Sequence, residues 1–181
     1  MKKTKISEEV VIPEGLEVSL NGEEITIKFQ KKEIKRKFKL GEIKMTKQGN
    51  KIEIKSEKYN RQRAKLIGTF VAHLKNMLNG MKEDYVYKLE ICNVHFPMTV
   101  KVDGEKLNIK NFLGESIDRK ANILKNVAVV VKGIDITVSS FDKEAAGQTV
   151  ANIEKSTKIK SRDRRVFQDG IFLVEKCGEK I

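Results

Sequence analysis

Between Lys155 and Arg165 six of eleven residues are basic: Lys155, Lys158, Lys160, Arg162, Arg164 and Arg165, with Asp163 the one acid. Held in so short a stretch, these cations repel one another unless anions lie between them. Arginine suits such a partner, because its planar fork of donors can grip a phosphate through two bonds at once. The chemistry this spacing favours is therefore phosphate neutralisation, against the plainer reading of a solvated charge run. Lys155 also has a structural use, since it closes a predicted helix whose dipole it complements.

Three smaller groups raise the same question. Arg61, Arg63 and Lys65 open a predicted helix, where positive charge opposes the macrodipole by about 0.3–1 kcal/mol each; an external phosphate or plain water would face them. Along Glu33–Lys39, Lys35, Lys37 and Lys39 alternate with Ile34, Arg36 and Phe38. That lysine face either touches a polyanion or guards a sheet edge, and the edge reading is preferred. His95, in His95-Phe96-Pro97, belongs to a turn after a strand and could stack on or hydrogen-bond a nucleotide.

Catalytic and metal constellations fare worse. Cys92 and His95 have the spacing of two metal ligands, but a structural zinc site needs four, and only His73 and Cys177 could complete it. There is no Gly-rich phosphate loop, no metalloprotease helix and no Gly-x-Ser-x-Gly elbow. The acids are scattered among lysines, so no carboxylate pair stands out. Neither an enzyme, nor a bound cofactor, nor a metal is expected.

The bulk composition agrees. Among 181 residues, 37 are basic and 25 acidic, a formal charge of +12 that sets up a positive surface potential and favours nucleic acid over an anionic membrane. The longest apolar run, Val127–Val131, is far too short to span a bilayer, and the basic opening Met1–Lys5 is not followed by the apolar core of a signal peptide. Two lone cysteines imply no disulfide framework, so reduced thiols in a cytoplasmic protein are expected.

An internal repeat says what positions these residues. Val18-Ser-Leu-Asn-Gly-Glu-Glu-Ile-Thr-Ile-Lys28 matches Val100-Lys-Val-Asp-Gly-Glu-Lys-Leu-Asn-Ile-Lys110 almost position for position. Both read as hairpins, with Asn21-Gly22 and Asp103-Gly104 as type I′ turns. An alternating strand then precedes a helix in each half: Lys51–Lys55 before a helix over 60–78, and Ile134–Val138 before one over 142–155. Ala64, Ile67, Val71, Leu74 and Leu78 share one helix face, as do Ala146, Val150 and Ile153. Gly68 and Gly147, inside these helices, are expected to let helix approach sheet closely, with close approach of an RNA backbone as the alternative. The fold class is α+β: two similar modules from internal duplication, residues 1–80 and 81–181, each a mainly antiparallel sheet with one amphipathic helix packed on it. The strand Tyr85–Ile91 opens the second; Ile171–Val174 forms a short strand, and Glu175 onward a tail.

Three segments carry a family resemblance. They are Asn60-Arg-Gln-Arg-Ala-Lys-Leu-Ile-Gly-Thr-Phe-Val-Ala-His73, Asp142-Lys-Glu-Ala-Ala-Gly-Gln-Thr-Val-Ala-Asn-Ile153 and Arg162-Asp-Arg-Arg-Val-Phe-Gln-Asp-Gly-Ile171. Together they resemble the universal large-subunit ribosomal protein family L6, in its archaeal and eukaryotic branch, and the resemblance runs over essentially the whole chain. It implies a duplicated fold, a structural role in the large ribosomal subunit, and binding to large-subunit rRNA near the sarcin-ricin loop and stalk base, where translation factors dock. Neighbouring ribosomal proteins would be its other partners. The family's grip comes mainly from the C-terminal module, which here implies Gln148 and the Lys155–Arg165 segment. Bulk charge points the other way, because residues 1–80 hold 19 bases against 10 acids and the remainder 18 against 15. The concentrated cluster is given precedence, with Arg61, Arg63, Lys65 and His95 as secondary contacts. A free-standing RNA-binding regulator is the alternative.

Overall fold

The computed structural model describes residues 6–30 and 32–181, so the basic opening Met1–Lys5 lies outside it. The chain forms two compact units, Met1–Glu83 and Asp84–Ile181. The division falls three residues beyond Gly80 because the first helix runs on to Lys82, burying Gly80 and Met81.

In the first unit β1 (Ile6–Val11), β6 (Lys51–Ser56) and β5 (Lys44–Gln48) make one antiparallel sheet in that spatial order. A second antiparallel sheet holds β2 (Glu17–Asn21), β3 (Glu24–Phe29) and β4 (Lys32–Lys37). The helix α1 (Arg61–Lys82) starts at Asn60, whose side chain accepts from the Gln62 N–H at 3.1 Å. It buries Ile67, Phe70, Leu74, Met77 and Leu78 against β1, β3 and β6. Val71 and Ala64, expected in that core, are only half-buried; Phe70 and Met77 take the deeper positions.

The second unit repeats the plan and extends it. A sheet of β10 (Arg119–Asn122), β9 (Lys106–Lys110) and β8 (Thr99–Asp103) stands for β4-β3-β2. The other sheet orders β11 (Ala128–Lys132), β12 (Asp135–Ser140), β7 (Tyr85–Cys92), β13 (Gly170–Lys176) and β14 (Glu179–Lys180). Every pairing is antiparallel. Residues from Glu175 on are thus not a tail. They finish a strand and fold back as a hairpin, with Glu175 opposite Lys180. The helix α2 (Lys143–Ser156) packs on β7, β10, β12 and β13. Ala146, Val150 and Ile153 point inward among Leu107, Ile109, Ile136 and Val138, and each large aliphatic chain so buried contributes roughly 1.5–3 kcal/mol.

Two local expectations need correcting. Asn21 pairs with Glu24 and Asp103 with Lys106, so the two-residue loops are Gly22-Glu23 and Gly104-Glu105. Each glycine has positive φ, 63° and 57°, as the first central residue of the loop. That is the glycine placement of a type II′ turn rather than I′. The second concerns the helix glycines. A Cβ on Gly68 would meet nothing within 4 Å, so α1 does not press on its sheet there. On Gly147 it would meet only the Tyr87 hydroxyl, at 3.7 Å.

β4 is an edge strand, and its residues alternate between half-buried and exposed, with Lys35 and Lys37 outward. This fits the edge-guarding role of its lysines. Arg36 turns the other way and meets His73 Nε2 at 3.2 Å.

Candidate nucleic-acid interface

The cationic segment begins on the last turn of α2, where backbone carbonyls lose their helical partners. Thr157 answers this through its N–H and hydroxyl, both donating to the Glu154 carbonyl at 3.2 Å. The carbonyls further on are met by Arg119 from β10, whose Nη1 donates to Ser156 O at 2.9 Å and Lys158 O at 3.2 Å. The same guanidinium lies 4.2 Å over the Phe112 ring and is gripped by both Glu115 carboxylate oxygens, at 2.7 and 2.5 Å. That hydrogen bond, and then the charges of Arg119 and Arg162, hold the Glu115 carboxyl below its usual range against the opposing effect of burial. Arg119 is a clamp on the point where helix becomes loop.

Around the clamp the cations converge. Lys155, Lys158 and Lys160 share a cleft of about 350 Å³ with Arg119, Lys120 and Ser156, and no acid lines it. Among the described residues Lys155, Lys158, Lys160 and Arg164 have no ion-pair partner. Arg162 lies 4.8 Å over the Phe167 ring. Arg165 folds onto Asp163, with Nη2 to Oδ2 at 2.9 Å, but its side chain is 90% exposed. So exposed a pair adds little to stability and yields readily to another anion. Hydrogen bonds from the Arg165 side chain, then its backbone, lower the Asp163 pKa.

The far end of the segment is pinned by Asp169. This carboxylate is 2% exposed. Its Oδ1 accepts the backbone N–H groups of Val94 and His95 at 2.8 and 2.9 Å, and Oδ2 lies 2.6 Å from His95 Nδ1. Burial on its own would raise the Asp169 pKa, but these hydrogen bonds outweigh it and the net shift is downward. Asp169 is therefore ionised near neutrality, and Nδ1 of His95 carries the shared proton. The His95 ring stacks on Phe167 at 4.8 Å and 26°. So His95 does join the cationic segment, although it lies 60 residues or more before it in the chain. Among the described residues no group of three or more His, Cys, Asp or Glu side chains could hold an ion.

Gln148 is exposed on α2 and donates to Asn152 Oδ1 at 3.0 Å, while Asn152 donates to the Asn122 carbonyl at 3.1 Å. Gln148, Asn152 and Lys155 follow at helical steps of four and three, so one polar stripe leads from Gln148 to the cations. Arg61, Arg63 and Lys65 belong to the first unit and do not form a cluster of their own. Arg63 is ion-paired to Glu42, donates to Lys58 O at 3.3 Å and is only 21% exposed, whereas Arg61 and Lys65 are exposed. Arg119, Lys120, Phe167 and Asp169 were not foreseen. The adjacent bases Arg119-Lys120 on a short strand were the available signal, but nothing local ties them to a helix end 37 residues on.

The duplication has a counterpart in a known family. The family model for ribosomal protein L6 matches twice, over residues 12–84 and 96–170, once in each unit. The large ribosomal subunit protein uL6 of Methanosphaera stadtmanae is 44% identical over 182 residues, covering 100% of this chain and 99% of its own. That of Methanobrevibacter smithii is 43% identical over 171 residues, covering 94% and 96%. The uL6 protein of Methanococcus vannielii is 41% identical, covering 96% of each. A duplicated sheet-and-helix fold, matched unit by unit over nearly full length, defines a ribosomal protein. The chain belongs to the ribosomal protein L6 family, and the archaeal relatives agree with the branch expected from its sequence.

Proposed function

We propose that this chain is a structural, non-catalytic constituent of the large ribosomal subunit that holds rRNA with the end of α2 and the segment after it. Its place is near the sarcin-ricin loop and stalk base, where it supports the region on which translation factors dock, beside neighbouring large-subunit proteins. The observation that carries the reading is the convergence of Arg119, Lys120, Lys155, Lys158 and Lys160 on one cleft that no acid lines. Such a surface is electrostatically unfavourable in isolation and favourable against a phosphate backbone, whose counterions it releases. The relatives named above are all large-subunit proteins, which supports the same assignment. Lys158, Lys160, Arg162, Arg164 and Arg165 supply charge, while Gln148 and Asn152 offer amide groups to sugar or phosphate.

The test is binding of the full chain to large-subunit rRNA fragments across a salt series. For each phosphate neutralised, the log–log slope should be about −0.7 to −0.9. Replacing Arg162, Arg164 and Arg165 together by alanine should flatten the slope by two units or so and weaken binding throughout. Unchanged binding by that variant would move the interface elsewhere.

A further inference from the structure

We propose that the cavity between the end of α2 and the start of β13 receives one unpaired nucleobase of the bound RNA; this rests on the RNA-binding reading above and adds to it a substrate class. The cavity has a volume of about 850 Å³ and opens beside the cationic segment. Phosphates held on a charged surface require cations and no hollow. Here, however, the hollow is walled by Val94, Ile159, Phe167, Ile171 and Phe172. Apolar and aromatic walls set among charges are the surroundings that a splayed-out base seeks and a duplex backbone does not.

The charges around it select the occupant. Lys155, Lys158, Arg164 and Arg165 line the same cavity, against two acids, Glu154 and Asp169. Both acids are used internally: Glu154 Oε1 accepts the Leu173 N–H at 3.0 Å, and Asp169 accepts from Val94 and His95. With four cations against two carboxylates the lining keeps a net positive charge, and the acids are the ones already held by backbone N–H groups; this complements the phosphate attached to a base and offers nothing to an apolar side chain of a neighbouring protein. One wall is also held in an unusual way. The Phe172 ring is 41% exposed, yet it lies back over Gly170 so closely that a Cβ there would sit 2.9 Å from its Cζ. A glycine at 170 is what permits the ring that position.

The experiment uses the full chain and two RNA hairpins that differ by one extra unpaired 2-aminopurine in the stem. The hairpin with the unpaired purine should bind about tenfold or more tighter, and its emission should change on binding as the base stacks. Phe172→Ala should abolish that preference and leave affinity for the paired hairpin unaltered, and Phe172→Tyr should retain it. Equal affinity of the two hairpins would overturn the base receptor, leaving the cavity to a neighbouring protein, while the salt-dependent RNA binding would stand. A preference that survives Phe172→Ala would also overturn it, by locating the base elsewhere. If neither hairpin bound even in dilute salt, the RNA reading itself would fail first.

Discussion

One carboxylate, that of Asp169, accepts both the backbone N–H of His95, at 2.9 Å, and the hydrogen bond of its ring Nδ1, at 2.6 Å, across 74 positions of sequence. With the Val94 N–H on the same group, the turn after β7 and the last residue before β13 are tied at one buried point. The stack of His95 on Phe167 is thereby fixed, and with it the end of the cationic segment.

The acid branch of stability should report this tie. Because the folded Asp169 has a pKa below its unfolded value of about 3.9, the stabilisation is complete above that value and drains away as pH falls through the folded pKa. Between pH 5 and pH 3 the wild-type melting temperature should therefore fall more steeply than that of Asp169→Asn. At pH 7 the same substitution should destabilise by about 2 kcal/mol, since it weakens a buried acceptor of three donors. Parallel melting curves for the two proteins over that range would discount the tie.

Arg119 acts on RNA through the backbone it holds. Arg119→Ala leaves the carbonyls of Ser156 and Lys158 without their donor, and Glu115 without its partner. A loss of about 1–3 kcal/mol is expected. The salt slope of RNA binding should fall by more than the one unit that a single lost charge explains, because Lys158 and Lys160 lose their placement. Arg119→Lys keeps the charge but not the fork, so it should restore the slope only in part.

Much of this architecture is legible in the sequence, and the reason is periodicity. Ala146, Val150 and Ile153 recur at helical spacing, and the hairpin repeat of Val18–Lys28 in Val100–Lys110 announces the duplication. The errors came where local chemistry is ambiguous. Asn21 tolerates a turn position as well as Gly22 does, so the residue types alone place the loop one residue early. Thr149 is wholly buried on α2, its hydroxyl donating to the Ala145 carbonyl at 2.9 Å, and no hydrophobic pattern flags a polar core residue. Of the site, the run Lys155–Arg165 could be read directly, because charge density is local. Arg119 and Asp169 could not, since their roles exist only once β10 and β7 have been brought beside it.

Gly68 gives a clean separation of folding from binding. It lies inside α1, is exposed, and has room for a Cβ. Gly68→Ala should thus stabilise the free protein by about 0.5–1 kcal/mol through helix propensity. The same change at Gly22 or Gly104 should destabilise, as both have positive φ. Thermal melts of the three variants check the contrast; a destabilised Gly68→Ala would mean that α1 is constrained there by something the free chain does not show.

The arginines of the segment should not be equivalent, and their inequality tests whether phosphate is what they meet. Arg164 has no ion pair among the described residues, so Arg164→Ala should simply subtract about one unit of charge and one step, about 0.7–0.9, from the salt slope. Arg165 is held by Asp163, and must leave it, at least in part, to bind a phosphate. Arg165→Ala should accordingly weaken binding less than Arg164→Ala does. Removing the competitor has the opposite sign. Asp163→Asn frees Arg165 and withdraws the one acid of the run, so RNA affinity should rise severalfold at low salt, a gain that shrinks as salt screens it. Titrations of the three variants at two salt concentrations decide the matter. Should Asp163→Asn bind RNA more weakly than the parent, Asp163 would be shaping the loop rather than competing with the ligand, and the phosphate assignment of Arg165 would be withdrawn.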